Sequence, residues 1–596
     1  MARSNSEPVI IGAGPAGLTA AYELVKRGIT PIVLEKTDDV GGLACTKTYK
    51  GFRFDMGGHR FYTKSKEVKR MWEEILGEDF LRRPRLSRIY YNRKFFYYPL
   101  RPLNALFNLG LLESGRIAFS YLWWHFFPCS RQETFEEWVT NRFGQRLFLT
   151  FFKTYTEKVW GIPCSQLKAE WAAQRIKDLS LRTALLNMFM KPKTTIKTLI
   201  DEFQYPRFGP GMMWNAVKDR IEKGGGVVRL DAKVVKINQV GRSIESVTIS
   251  SNGHTETIRG KHFITSMPIT EFIKQLDPLP LEVVQAAEKL RYREFLTVCL
   301  IVNKPKLFPD NWIYVHDHEV KVGRIQNFKN WSPEMVADAT KTSLGLEYFC
   351  TEGDELWNML DPELIELGKR EVDRIGLASY ADIEDGCVFR VLKAYPVYDS
   401  DYRDYLAKVR EFVDGLDNCQ TIGRNGLHRY NNQDHAMLTG MLAVRNLVLG
   451  ERNDLWDVNT DQEYHEEIRE KTEVSEPDVA AVIQGVLSQV FLKLDRLALG
   501  ISVGAVVGFG LFLMTLTLMI KGGEVVGPNL QLLSQVFPGY KVTGMGSLVG
   551  LLYGFGAGFI GGWGFALLRN LAVFLSMTLI HRRIELQYLR RLLDYV

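Results

Sequence analysis

The sequence predicts an α/β fold: a Rossmann-type half interleaved with a mixed α+β domain, plus a C-terminal α-helical membrane hairpin. Three observations predict it. A short apolar strand, Pro8–Ile11, enters the turn GAGPAG and leaves it in a helical stretch, Leu18–Arg27, before a second strand, Ile32–Glu35. From there to about residue 450, strand-like and helix-like segments follow one another with no repeat and no low-complexity tract. Near the end, Leu499–Ile520 and Gly546–Leu568 run for 22 and 23 residues without a charge, each long enough to cross a hydrocarbon layer of about 30 Å. The competing reading, a pair of buried core helices, conflicts with the rarity of such runs in soluble domains.

The first turn has a physical logic. Gly12 permits the sharp bend, Gly14 lets backbone approach a pyrophosphate, and Gly17 lets helix and strand pack closely; the helix N-terminus then faces the phosphates. Glu35 ends the second strand, 18 residues past Gly17, where a carboxylate accepts hydrogen bonds from ribose hydroxyls. Two more glycine pairs, Gly41-Gly42 and Gly57-Gly58, and then His59, follow within 50 residues. They indicate a long cofactor lying deep against backbone, which favours FAD over NAD. No attachment residue is evident, so the FAD is expected to be non-covalent.

Composition bounds the rest. The chain has 596 residues, too many for one core, and a net charge of +6, too small to argue for nucleic acid. Seven scattered cysteines without a C-x-x-C pair argue against a disulfide framework and a zinc site, and fit a reducing compartment. No apolar signal core precedes the first strand. The expected division is an FAD-binding domain from residues 1–80, 200–270 and 385–450, a substrate domain from 81–199 and 271–384, a polar linker over 451–490, and a membrane domain over 491–596.

At this point the chain resembles the flavoprotein group of amine oxidases, protoporphyrinogen oxidases and UDP-galactopyranose mutases, and within it the mutases most. Tyr155-Thr156-Glu157-Lys158-Val159-Trp160-Gly161 looks like the mutase Y-T-x-K-x-W-G. Tyr395-Pro396-Val397-Tyr398 looks like its Y-P segment, and Gly423-Arg424-Asn425-Gly426 with Tyr430–Asp434 like its late glycine turn. Gly323–Phe328 is a weaker match. The resemblance spans about 440 residues and excludes the tail. It implies that the late turn closes over the same FAD as the first, with Gly423, Arg424, Asn432, Gln433 and Asp434 in contact. Pro15, Ala16, Lys36, Leu43 and Val234 complete the expected cofactor set.

The resemblance also implies an uncommon use of flavin: reduced N5 attacks an anomeric carbon, nucleotide diphosphate leaves, and the sugar is returned with its ring changed and no net redox. Trp160 would pack on nucleotide or sugar, Arg324 would hold phosphate through its planar fork, Tyr395 would donate to it, and His59 would sit beside the flavin or serve as a structural histidine. Two departures stand out. His428 occupies about the place of a phosphate-contacting tyrosine; histidine still donates to phosphate, so the implied site still binds an anion, with an altered substrate. Arg175-Ile176-Lys177-Asp178 only loosely matches the mutase's basic segment.

Two stretches stay open on the sequence. Residues 82–101 carry seven basic residues, no acidic one, and aromatics between; this block reads as a funnel for an anionic substrate, a surface against anionic lipid, or a strand pair with snorkelling arginines. In the tail, glycines recur every fourth residue from Gly500 to Gly508 and from Gly546 to Gly562, fitting a hairpin zipped within one chain or a homo-oligomer interface. Lys493, Arg496, Arg569, Arg582 and Arg583 lie outside the spans, against Lys521 and Lys541 between them. That bias predicts both termini and the catalytic domain on the cytoplasmic side of an inner membrane. The expected function is mutase-like flavin chemistry on a nucleotide sugar or lipid-linked sugar in cell-surface polysaccharide metabolism. The alternatives are an FAD oxidoreductase acting on an apolar membrane-dissolved substrate, and a non-catalytic flavin-bound scaffold.

Overall fold

A five-stranded parallel sheet organises the first part of the molecule. Its spatial order is Cys419–Thr421, Phe263–Thr265, Val9–Ile11, Ile32–Leu34, Val227–Arg229. Strands from four distant stretches meet because every residue of Val9–Ile11 is buried on both faces, the signature of a parallel sheet covered by helices. The computed structural model describes residues 7–98, 100, 102–129, 131–169, 202–399, 401–458, 494–522 and 528–593, in two units, Met1–Ile468 and Arg469–Val596. Arg175 and Lys177, and all but the first residues of the expected 451–490 linker, fall outside the described residues.

Helix Pro15–Val25 covers this sheet, with Pro15 in its first turn, where a missing N–H costs nothing. Helix Gln433–Leu449 packs on it through Gly440, whose absent Cβ would lie 2.5 Å from the Ala16 carbonyl oxygen. A four-stranded sheet, His254–Arg259, Ser243–Ser251, Lys233–Val240 and Leu276–Asp277, flanks the Rossmann half.

The second layer is a seven-stranded mixed sheet in the order Ile383–Pro396, Tyr292–Val302, Thr342–Cys350, Arg324–Asn327, Trp312–Val315, Ser87–Tyr91, Lys94–Tyr97. Here the structure departs from the sequence division. Residues 385–396 were expected in the cofactor half, yet they form the edge strand beside Tyr292–Val302. Strand partners are chosen by tertiary burial, not by chain proximity.

Residues 135–160, with apolar positions at helical spacing, form a broken helix. Thr134 and Glu137 form a capping box on Phe135–Phe143. Gly144 then takes φ +82°, and its absent Cβ would lie 2.8 Å from the Tyr121 backbone nitrogen. The chain resumes at Gln145–Phe148, passes through a wide turn at Leu149–Lys153, and ends in Thr154–Trp160, closed by Gly161 in the left-handed region. The basic block 82–101 becomes the end of strand Phe80–Pro84 and the hairpin Ser87–Tyr91/Lys94–Tyr97. Arg88 there makes a bidentate pair with the buried Asp310.

The second unit is a pair of antiparallel helices, Arg496–Lys521 and Gly544–Leu593. Arg496–Lys521 and Gly544–Leu571 are long and apolar enough to cross a membrane. Their glycine stripes face each other inside the chain. Absent Cβ atoms at Gly504 and Gly508 would lie 2.8 Å and 2.7 Å from the carbonyl oxygens of Phe555 and Leu551; those at Gly558 and Gly562 would lie 2.8 Å from the carbonyls of Val503 and Leu499. The intrachain hairpin therefore consumes the stripe that the sequence also offered to a homo-oligomer. Thr515, on the first helix, and Tyr540, in the segment that precedes the second, share a buried hydrogen bond of 2.7 Å. Leu497, Val506, Phe509, Leu548, Ile560 and Leu568 point outward, exposed.

Candidate active site

The glycine loops meet where the Rossmann strands end. Gly12 takes φ +101°, and its absent Cβ would lie 2.3 Å from Ser266 Oγ; that of Gly17 would lie 2.0 Å from the Gly12 carbonyl. Both positions exclude any side chain. Gly14 differs: around its missing Cβ only the Gly42 Cα lies within 4 Å, so one side of this backbone stays open to a ligand. The second glycine pair rests on the first, with the Gly41 N–H donating to the Ala13 carbonyl at 2.8 Å. Glu35 is buried at the end of its strand and accepts from the Ala13 N–H at 2.8 Å and from the Thr37 N–H and hydroxyl. Pro15 and Ala16 begin the helix, Leu43 lies in the turn Gly42–Ala44, and Lys36 is exposed beside Glu35. Val234 lies buried two residues past Ala232, whose N–H donates to the Glu35 carbonyl.

The late turn closes on this cradle. Gly423 takes φ +75°, with its absent Cβ 2.9 Å from the Ala16 Cβ. Arg424 is pinned by three carbonyl contacts, two to Asn431 and one to Ala394, and its guanidinium covers the Tyr430 ring at 4.7 Å. Asn432 stands at the N-cap of helix Gln433–Leu449 without a side-chain capping bond, and the first amides of a helix have no intrahelical acceptor. Asn431 Oδ1 is buried without a hydrogen-bond partner. An open Gly14 face, a Glu35 carboxylate, and free amides with an orphan carbonyl at the late turn fit a dinucleotide with a polar ring system.

Gly57-Gly58-His59 joins cradle to second layer. Gly57 (φ +105°) lies with its absent Cβ 3.8 Å from an Arg324 guanidinium nitrogen, and that of Gly58 would lie 2.8 Å from Gln326 Nε2. His59 Nε2 is 2.9 Å from the Met56 carbonyl. Burial, with Arg424 and Arg324 adding to it, pushes this imidazole down to about 4, so His59 is neutral near pH 7.

Arg324 stands opposite Glu347 across a strand pair. Its Nε donates to Glu347 Oε1 at 2.9 Å and its NH2 to Oε2 at 2.5 Å, while Gln326 Nε2 donates to the same carboxylate at 2.9 Å. Burial alone would lower the Arg324 guanidinium, but Glu347 holds it well above its ordinary value. The expected phosphate-holding fork is thus spent on Glu347, leaving the other guanidinium edge for a ligand. Tyr155 and Tyr395 flank it, both phenols pushed up by burial, Tyr395 to about 12. Trp160, Tyr395 and Tyr430 complete an aromatic wall: Tyr395 and Tyr430 stack at 5.8 Å and 11°, and Trp160 lies 6.2 Å from Tyr395.

The structure thus brings together His59, Trp160, Arg324, Tyr395 and Arg424. His428 does not join them. Its ring is buried edge-on to Tyr292 at 4.7 Å, and burial pushes it down to about 3, away from the charged form expected to meet phosphate. The backbone reason is φ +44° at His428, which turns the side chain inward and hands the aromatic wall to Tyr430. The sequence reading missed Glu347 and Gln326 as site residues. Gln326 was reachable, since Arg324 and Gln326 share one strand face; Glu347 was not, because only register places it.

This fold and cradle define an FAD-dependent enzyme. A family model for flavin containing amine oxidoreductases matches residues 15–375, and the chain belongs to that family. Among solved structures, reduced UDP-galactopyranose mutase superposes with a TM-score of 0.67 at 21% identity, over 77% of this chain and 96% of that one. A protein described as a protoporphyrinogen oxidase of Exiguobacterium sp. 255-15 gives 0.58 at 16%, over 75% and 100%. By sequence, the L-amino-acid oxidase of Crotalus adamanteus is 24% identical over 51% of this chain and 59% of its own. The chain spans 59% or less of the first three curated relatives it matches.

Proposed function

We propose that this flavoenzyme is anchored in a membrane by its C-terminal hairpin and acts on a sugar carrying an anionic phosphate group, a nucleotide sugar or a lipid-linked sugar. The supporting observation is the pairing of the Trp160–Tyr395–Tyr430 wall with two guanidiniums, of which only Arg324 is matched by a carboxylate among the described residues. Such a wall stacks on a sugar ring while Arg424 and the free edge of Arg324 keep the site positive. Bound FAD, held non-covalently, supplies a nucleophilic nitrogen when reduced or takes a hydride when oxidised. Neutral His59 neither adds charge nor supplies a proton near pH 7. Tyr395, held protonated by burial, donates its hydroxyl to a substrate oxygen.

The outward apolar faces of the hairpin support insertion, and the flanking basic residues support cytoplasmic termini. A second reading, oxidation of an apolar membrane-dissolved substrate, is favoured by the aromatic wall of the site and by the oxidases among the relatives. One experiment separates the two. Protein reduced with dithionite and freed of the excess is given a UDP-hexopyranose or a polyprenyl-diphosphate sugar, and product and oxygen uptake are followed together. Turnover without stoichiometric reductant or oxygen is expected. Arg324→Ala should weaken substrate binding by about 2–5 kcal/mol, the cost of removing one partner of a buried charge-assisted contact, with flavin content unchanged. Oxygen uptake in step with product, with Arg324→Ala kinetically silent, would establish the oxidase reading instead.

A further inference from the structure

The catalytic unit exposes an apolar face that the active site does not use. Helix Leu111–Phe126, preceded by Pro102–Leu109, presents Leu112, Phe119, Leu122, Trp123 and Phe126 along one side, with Phe107 beside them. Leu112 is 85% exposed, Phe107 79% and Phe126 71%. Positions 112, 119, 122, 123 and 126 recur at helical spacing, so this is one stripe, not scattered surface leucines. The helix is nonetheless fixed to its unit. Ile117 is buried, Gly144 lets the following segment touch the Tyr121 backbone, and the Arg146 N–H donates to Ser120 Oγ at 3.1 Å.

The charges around the stripe are mostly basic. Glu113 is the one acidic residue between 102 and 131, and it is held by Arg146 at 2.5 Å and 2.9 Å and by Arg116 at 3.6 Å. Arg116 and Arg146 thereby border a shallow groove with Phe119. A stripe rich in Phe, Leu and Trp with cationic edges has the chemistry of a surface that lies in the headgroup region of an anionic bilayer. The same chain carries two membrane-length helices, and the 35 residues between 458 and 494 span at most about 120 Å when extended, which keeps a bilayer within range of this face.

We propose that helix Leu111–Phe126 is a second, interfacial contact of the catalytic unit with an anionic lipid surface, separate from the hairpin. The inference rests on the membrane-anchored reading above. Occupants of other kinds, a second copy of the chain or its own residues 170–201, would bury the stripe in protein and not in lipid.

The test uses the full chain in liposomes of phosphatidylcholine and phosphatidylglycerol. Cys129→Ser and Cys387→Ser remove the two cysteines that are not buried. Single cysteines replacing Phe119, Trp123 or Phe126 carry an environment-sensitive fluorophore, and Leu281→Cys, at an exposed leucine elsewhere, is the control. Blue-shifted emission, quenched about two-fold or more by lipid with a shallow nitroxide and weakened without phosphatidylglycerol, is expected at the three helix positions and not at 281. Solvent-like, unquenched emission would overturn the proposal. So would a blue shift without quenching, because protein would then cover the stripe. Carbonate extraction reads the hairpin separately. Quenching in an extractable chain keeps the lipid contact and removes the anchor; an extractable chain without quenching counts against both.

Discussion

At the residue scale, the late turn is decided by backbone angles more than by side-chain identity. Gly423 and His428 both have positive φ, but only glycine takes it without cost. His428 accepts that strain, and its ring fills a slot against Tyr292, leaving Tyr430 to face Arg424 and Tyr395. His428→Tyr therefore forces a larger ring into a filled slot. It should destabilise the protein by about 1–3 kcal/mol with substrate preference unchanged; a denaturant midpoint compared with product ratios reads both. Gly14 lies at the other extreme, with one open side. Gly14→Val should place a branched side chain in the pyrophosphate path and yield folded protein without yellow colour. A folded Gly14→Val protein retaining full flavin absorbance contradicts the cradle assignment.

At the element scale, the hairpin illustrates packing without a hydrophobic gain. Apolar side chains facing lipid already lie in an apolar medium, so helix association there depends on close backbone approach. Gly504 meets the Phe555 carbonyl and Gly558 the Val503 carbonyl at distances a Cβ cannot share. Gly504→Leu should separate the helices and reduce monodisperse protein recovered in detergent, while flavin per recovered molecule stays constant. Gly556, with nothing within 4 Å of its missing Cβ, is the matched site where Gly556→Leu should be silent. Gel filtration with absorbance at the flavin band reads both variants.

At the scale of the whole molecule, three histidines, the half-buried His59 and the buried His316 and His428, are neutral near pH 7, pushed down by desolvation to about 4, 3 and 3. These values lie below the ordinary 6.5 of the unfolded chain, so below about pH 6.5 the unfolded state takes up protons first. Their contribution to stability is then full above pH 6.5 and is lost as pH falls towards 4, while the buried Asp55 carboxyl, raised to about 7, acts in the opposite direction. Melting temperature measured from pH 7.5 to 4.5 should fall on the acid side. His428→Asn, which tolerates the left-handed backbone, should flatten that fall, and an unaltered slope would mean the buried imidazoles do not carry it.

The sequence by itself determined the Rossmann-type half, the glycine turn Gly12–Gly17 with Glu35 at the next strand end, and the two membrane-length helices, while the resemblance implied that a late turn joins the early one. These are legible because they rest on local physics: a glycine needed for a turn, a carboxylate at a strand end, a charge-free run of fixed length. The tertiary structure decided what depends on pairing between distant segments. It chose Glu347 as the partner of Arg324 through strand register, moved residues 385–396 into the seven-stranded sheet, turned His428 away in favour of Tyr430, and closed the glycine stripes on each other within the chain. Each of these choices minimises buried unpaired charge or empty space across segments that no local pattern relates, so the chain had to fold before it could be read.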